Sequence, residues 1–230
     1  MMQSRPRLFV VSPHLDDAVL SCGAFLKASR PSVVCTVFTA SPRVNMSTEW
    51  DRQSGFKDAF DAMRTRRNED SRALEILNAR PVHLPFCDSQ YLQAPSREEL
   101  TRALRQTLLE YNPEKVLIPL GLFHSDHTLV SDACLELLSD AAGIEFLAYE
   151  EVPYRHMKDV VPARVEELKR RSYLLSPADK LCSAHAHTAE HAEQSKRDAI
   201  TAYASQLRAF GPQSENTLYS TEKYWHLKKE

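Results

Sequence analysis

The sequence predicts an α/β fold, a mainly parallel sheet with helices on both faces, in a single domain. Short strand-like apolar runs alternate with longer segments of helical periodicity, which is the pattern of βαβ units. The strand runs are apolar throughout instead of alternating with polar residues, as in strands covered on both faces. No repeat, low-complexity tract or Gly/Ser linker interrupts the 230 residues, so nothing in the composition marks a domain boundary. One domain over 1–230 is expected, with a core at about 5–150 and a C-terminal part, 151–230, that packs on it or extends it.

Leu8-Phe9-Val10-Val11 reads as the first strand. A helix starting near Asp17 follows, because Val19, Cys22, Phe25 and Leu26 fall at helical spacing up to about Ser29. Val33 to Phe38 is a second strand, rich in β-branched residues. The polar stretch from Ser41 to about Ser54 reads as a loop, long enough to serve as a lid or binding loop. Phe56, Phe60, Met63, Leu74 and Leu77 mark one face of a long helix. Its middle (Arg66, Arg67, Asn68, Glu69, Asp70) is polar, so it faces solvent or a cleft. Val82-His83-Leu84 is a third strand, bracketed by Pro81 and Pro85. Leu100, Leu104, Leu108 and Tyr111 mark a helix that ends before Pro113. Lys115 to Ile118 is the fourth strand, and Leu129 to Leu138 carries the next amphipathic helix. Phe146 to Tyr149 suggests a fifth strand. Residues 155–187 give no clear pattern, whereas Ala192, Ala199, Ile200, Tyr203 and Leu207 indicate a late helix.

Hydrophobic residues make up 43% and charged residues 26%, an ordinary globular balance. With a formal net charge of −2 there is no electrostatic reason to expect nucleic acid or an anionic membrane as the partner. No apolar run approaches the roughly 20 residues of a membrane-spanning helix. The apolar run before Pro13 is too short for a signal peptide. Five cysteines (Cys22, Cys35, Cys87, Cys134, Cys182), widely spread and without a CxxC pair, read as reduced thiols. A cytoplasmic location is expected, and homo-oligomers remain open.

Two clusters carry chemistry. Ser12-Pro13-His14-Leu15-Asp16-Asp17 follows the first strand and precedes the first helix, at the strand end where open α/β sheets bind ligands. One imidazole and one carboxylate can hold a borderline cation such as zinc, leaving a neighbouring carboxylate to handle protons. The plainer alternative is helix capping by Asp16 or Asp17. Gly121-Leu122-Phe123-His124-Ser125-Asp126-His127 stands at the fourth strand's end. Its two histidines lie three apart, and Asp126 is placed to fix an imidazole tautomer. Here too capping, by Ser125 or Asp126, is the alternative. Two such clusters at matching strand ends favour a metal over coincidence. Only five residues are glycine, and Gly23 and Gly121 sit beside the clusters. Gly121 suits a tight turn and Gly23 close helix–sheet packing.

Pro13-His14-Leu15-Asp16-Asp17 together with His124-Ser125-Asp126-His127 resembles the paired signature of the PIG-L/LmbE-like deacetylases, written PHPDDE and HPDH. The similarity extends to Arg66-Arg67-Asn68-Glu69-Asp70 and to Leu84-Pro85-Phe86-Cys87-Asp88, and covers most of the first 150 residues. The resemblance implies a Rossmann-like fold and a zinc-dependent hydrolase that removes an acetyl or related acyl group from an N-acylated amino sugar. Its partner would be such a small molecule, with Fe2+ or another divalent ion as an alternative to zinc. It implies His14, Asp17 and His127 as metal ligands, Asp16 as general base, and His124 as the group stabilising the transition state. Asp126 supports that chemistry, and Arg66 and Asp88 match substrate-contacting positions. Leu15 and Ser125 replace prolines of the pattern, and Ala18 replaces its final Glu, which bears on metal affinity or substrate range.

Further features have weaker claims. His185, His187 and His191, with Glu190, match no compact zinc spacing and read as a polar loop leading into a helix. Tyr149 to Arg155 either lines a sugar-sized pocket or is a strand end with solvated charges. Trp50 is either a stacking lid or an anchor for its loop. Lys169-Arg170-Arg171 reads as a solvated helix face, and Arg64 to Arg67 as salt pairing with Glu69 and Asp70. A signalling receiver domain lacks its phosphoacceptor Asp and its Lys. A nucleotide-binding oxidoreductase lacks a Gly-rich loop after the first strand. A binding module that has kept the fold but lost catalysis would need a missing catalytic position, and all five implied positions are filled.

Overall fold

The computed structural model describes residues 5–139, 143–178 and 186–230. Its elements run β1 (Leu8–Ser12), α1 (Asp17–Ala28), β2 (Ser32–Ala40), α2 (Glu49–Gln53), α3 (Ala59–Leu77), β3 (Ala79–Cys87), α4 (Arg97–Tyr111), β4 (Lys115–Pro119), α5 (Ser125–Leu135) and β5 (Glu145–Tyr149). They continue with α6 (Val160–Arg170), β6 (Tyr173–Pro177), α7 (Ala186–Ile200), α8 (Ala204–Phe210), α9 (Glu215–Leu218) and β7 (Tyr224–Lys229). The strands form one sheet in the order β3-β2-β1-β4-β5-β7-β6. The first five in that order are parallel, while β7 pairs antiparallel with both β5 and β6.

The period-two geometry of a strand explains the uniformly apolar β1. Phe9 and Val11 point into one hydrophobic cluster with Leu100, Leu104, Val130 and Cys134 from α4 and α5. Leu8 and Val10 point to the other side, against Leu20, Leu26, Leu74 and Ile200 from α1, α3 and α7. The sheet is therefore covered on both faces, as the apolar runs predict.

The structure corrects several element boundaries. β3 runs through both Pro81 and Pro85 instead of stopping between them. It is the sheet's edge strand, where a missing backbone N–H on the outer side costs nothing, and its pairing with β2 shifts register around Phe38. The expected loop at 41–54 contains α2, whose start is a capping box. Thr48 Oγ1 accepts from the Asp51 N–H, and the Asp51 carboxylate accepts from the Thr48 N–H. The late helix is two helices, α7 and α8, which separate around Tyr203. The segment without a clear pattern supplies α6 and β6, and the unanticipated β7 lies between β5 and β6, which forms the sheet's far edge.

Glycine roles divide. Gly121 has φ +89°, and a Cβ there would lie 2.7 Å from Ser131 Cβ and 3.0 Å from Arg164 Nη2, so the tight turn off β4 is real. Gly121→Ala is expected to cost about 1–3 kcal/mol through backbone strain and overlap. A thermal unfolding midpoint equal to wild type would contradict this. Gly23 instead faces α7: its Cβ would meet Lys196 Cγ at 2.8 Å, so it serves helix–helix rather than helix–sheet packing.

Cys22, Cys35, Cys87 and Cys134 are buried and in no disulfide, and burial pushes the Cys35 thiol up to about 12. Cys182 and His185 lie outside the described residues. Among the described residues no helix is long and apolar enough to cross a membrane.

Candidate active site

β1 lies between β2 and β4, so the chain leaves β1 in one direction across the sheet and later returns on its other side. Such a switch point opens a crevice at the strands' carboxyl ends. Both His/Asp clusters start there, at the ends of the hydrogen-bonded neighbours β1 and β4. Strand adjacency, which local pattern does not encode, brings them together.

Ser12 staples the first loop: its hydroxyl donates to the His14 carbonyl (2.7 Å) and accepts from the Ala18 N–H (3.0 Å). Asp17 Oδ2 accepts from the His14 N–H at 2.9 Å. Asp16 occupies the N-cap position of α1, but its side chain makes no capping bond. Its carboxylate lines a cleft of about 630 Å³, mouth included, with His14, Asp17, Arg66, Asp88 and His124 among the other walls. In the second loop the cap is His124 itself, whose Nδ1 accepts from the Asp126 N–H at 3.2 Å. That bond places the proton on Nε2, which is left to donate. Neither Ser125 nor Asp126 caps α5.

His14 Nδ1, Asp17 Oδ2 and His127 Nε2 form a nearly equilateral triangle, with edges of 3.3 Å (His14–Asp17), 3.2 Å (Asp17–His127) and 3.2 Å (His14–His127). Tetrahedral bonds of 2.0–2.1 Å place ligand atoms about 3.3 Å apart, so the triangle fits a zinc-sized ion. The outer partners of the two imidazoles agree. His127 Nδ1 faces Glu151 Oε1 at 3.2 Å. His14 Nε2 faces Asp126 Oδ2 at 3.2 Å and Asp88 Oδ2 at 3.4 Å. With those nitrogens donating, two lone pairs are turned toward each other across 3.2 Å, an arrangement that calls for a cation between them. Five carboxylates (Asp16, Asp17, Asp88, Asp126, Glu151) are buried around this point with Arg66 beside them. Buried negative charge in that excess also fits a bound cation.

The surrounding carboxylates also favour positive charge on both imidazoles. Burial alone would lower both His14 and His127. Asp88, Asp126 and Asp17 nonetheless raise His14 well above its usual value, and Asp17 and Glu151 lift His127 to about 9. Burial favours a neutral Asp17, but the two imidazoles hold it far below the carboxylate range. Asp16 goes the other way, to about 7, because burial and the Asp17 charge outweigh Arg66. Burial and the neighbouring imidazoles lower His124, which favours its neutral form.

The structure thus brings all eight residues singled out in the sequence to one place. The imidazole fixed by Asp126 is His14, from the opposite cluster. Arg66, on the polar stretch of α3, is buried with no hydrogen-bond partner at Nε. Asp88 caps a short turn through the Gln90 N–H, besides facing His14. Ala18 packs in the apolar cluster behind the site, not in the cleft.

Glu151 was only half visible in the sequence, as a charge at the end of a strand. It is fully buried, and its Oε1 also accepts from the Gly121 and Leu122 N–H groups (2.8 and 3.0 Å). Arg164 was not foreseen at all. From α6 it bonds the Leu120 carbonyl, Ser131 and Asp132, bracing the turn that presents His124 and His127. Trp50 both lines the cleft and is anchored, its Nε1–H donating to Gln206 Oε1 at 3.1 Å. Pro153 and Tyr154 are wall residues, Tyr154 stacked near His124. Arg64 and Lys169 pair with Asp61 and Glu166 at the surface. Arg67 instead donates to the Thr39 carbonyl, and Arg171 pairs with Asp132 and Glu167.

Fold and site together define a doubly wound α/β protein with a His/Asp centre at its switch point. Residues 9–138, more than half of the chain, match the PIG-L family model, described as GlcNAc-PI de-N-acetylase, and the chain belongs to that family. It is 28% identical over 192 residues to the 2'-N-acetylparomamine deacetylase of Streptomyces fradiae, covering 75% of this chain and 66% of that enzyme, just under two thirds of its length. The structure of the A40926 pseudoaglycone deacetylase Dbv21 superposes with a TM-score of 0.72 at 27% identity, covering 98% of both chains. The zinc-inhibited form of teicoplanin deacetylase Orf2 gives 0.75 at 21% identity, covering 97% of this chain and 98% of that one.

Proposed function

We propose that the chain is a metal-dependent hydrolase that removes an N-acetyl or related acyl group from an amino-sugar-containing small molecule. The observation that carries this is the His14–Asp17–His127 triangle beside an Asp16 carboxylate that neither caps a helix nor belongs to the triangle. The deacetylases at 27–28% identity support the substrate class.

His14, Asp17 and His127 would hold the ion, zinc by donor type, with Fe2+ as the alternative. When bound, it supplies a Lewis acid that polarises the acyl carbonyl and lowers the pKa of water. Asp16 takes the proton from the attacking water and passes it to the departing amine. His124, with Nε2–H free, donates to the oxygen on which negative charge develops. Asp126 keeps His14 in the tautomer that leaves Nδ1 open, and Glu151 does the same for His127 Nε2. Arg66 and Asp88 line the cleft to receive the sugar's hydroxyls. The products are the free amine and acetate. One domain acting in the cytoplasm, without nucleic-acid or membrane partners, completes the proposal.

Purified protein is expected to carry about one divalent ion per chain and to release amine from N-acetyl amino sugars in preference to non-sugar N-acetyl amides. A chelator should abolish turnover, and zinc should restore it. Metal-free protein, or amine release unaffected by chelation, would overturn the proposal.

A further inference from the structure

The cleft has a wall that the catalytic residues do not use. Trp50 from α2 and Gln206 and Phe210 from α8 line it, the Trp50 and Phe210 rings meeting edge-to-face with centroids 5.4 Å apart. α8 lies beyond the stretch that matches the family model. The wall is tied to the catalytic half through α3. Glu69, buried and contributing nothing to the cleft lining, accepts from the Ser205 N–H (2.9 Å) and the Ser205 hydroxyl (2.5 Å). The Ser205 hydroxyl in turn accepts from Gln206 Nε2 (2.9 Å), and Gln206 Oε1 accepts from Trp50 Nε1–H. Arg208 lies across Gly55 and bonds the Ser54 carbonyl (2.7 Å), a second tie between α8 and α2. Glu69 stands one turn along α3 from Arg66, so one helix sets both the polar floor and the aromatic wall.

We propose that Trp50 and Phe210 form a stacking subsite for the ring that follows the N-acyl amino sugar, and that Glu69 is the positioning residue that holds it. This rests on the hydrolase assignment above and specifies its substrate class as disaccharides and larger glycosides. The reacting sugar occupies the polar end, where Asp16, Arg66 and Asp88 converge. A second ring presents apolar C–H faces, which an aromatic surface with its one polar atom already bonded to Gln206 is suited to take. Three hydrogen bonds in series, Glu69 to Ser205, Ser205 to Gln206 within α8 and Gln206 to Trp50, with the Ser205 N–H bond to Glu69 beside the first, keep the Trp50 ring in place without a substrate.

The test compares N-acetylglucosamine with N,N'-diacetylchitobiose. Trp50→Ala and Phe210→Ala are each expected to lower the disaccharide-to-monosaccharide ratio of kcat/KM about tenfold, the loss of one ring contact. Glu69→Ala should lower that ratio through KM rather than kcat. Glu69→Gln, which keeps an acceptor for the Ser205 N–H, should restore it. Binding is followed separately by Trp50 emission in a Trp225→Phe background, the chain having two tryptophans. There the disaccharide should shift the spectrum and the monosaccharide should not. Absence of turnover on both sugars with the shift retained would refute the hydrolase assignment and leave the subsite standing. No shift, or equal losses on both sugars in folded variants, would overturn the subsite.

Discussion

Asp16→Asn is expected to lower kcat by about 10²–10⁴-fold, the range that a positioned acid–base group contributes, with bound metal unchanged. The expectation follows from what Asp16 does not do. Its neighbour Asp17 is spoken for three times, by the His14 N–H and by both imidazoles. Asp16 is almost as deeply buried, yet its carboxylate opens into the cleft and is drawn up to about 7 by burial and by the Asp17 charge. A carboxylate in that position can accept a proton from water and give it up again near neutral pH. Asparagine keeps the shape and removes the basicity, so KM should change little. Asp17→Ala should instead lose metal and activity together. Full turnover in Asp16→Asn, with metal in place, would remove Asp16 from the proton path.

Glu151→Ala should weaken metal binding by about 10–100-fold, the usual cost of losing the outer partner of a ligating histidine. Three buried donors lose their common acceptor: His127 Nδ1–H and the Gly121 and Leu122 N–H groups. Each buried group left unsatisfied costs about 1–3 kcal/mol, so the thermal midpoint should fall as well. The two effects separate in Glu151→Gln, which retains a neutral acceptor. Most of the stability should return, while affinity stays reduced because the charge that steadies His127 is gone. A competition titration against a chelator of known affinity reads the first effect, and thermal unfolding the second. Unchanged metal affinity in Glu151→Ala would mean that His127 is not oriented from behind by this carboxylate.

What was legible in the sequence and what was not follow from the range of the interactions. Residues 5–150 carry strands that are apolar on both faces and helices with one apolar stripe, so their type and order can be read locally. The two clusters were visible because each sits where a strand stops and a helix begins. Their convergence depends on β1 pairing with β4, a contact across more than 100 residues. Glu151 was only half visible for the same reason: it stands among ordinary charges after β5 and matters only because β5 lies beside β4. The α2 start was readable, since Thr48 and Asp51 have capping spacing, but its polarity resembled a loop. β7 and β6 were missed because short antiparallel strands late in the chain alternate like solvated segments. The polar middle of α3 divides between the cleft and a buried tie, which its polarity alone does not distinguish from solvent exposure. Arg66 faces the cleft, while Glu69 and Asp70 bond Ser205 and the Tyr203 hydroxyl, fastening the C-terminal helices to the site.

In the proposed mechanism His14, Asp17 and His127 hold one catalytic ion. Anomalous diffraction at the zinc edge, from crystals of the zinc-loaded protein, locates that ion. A single peak is expected at about 2.0–2.1 Å from His14 Nδ1, Asp17 Oδ2 and His127 Nε2. The adjoining group of His14, His124 and Asp126 also places three donor atoms within 4.8 Å of one another. A peak there with none in the triangle, or no peak in protein that turns over substrate, would mean that the triangle does not hold the catalytic ion.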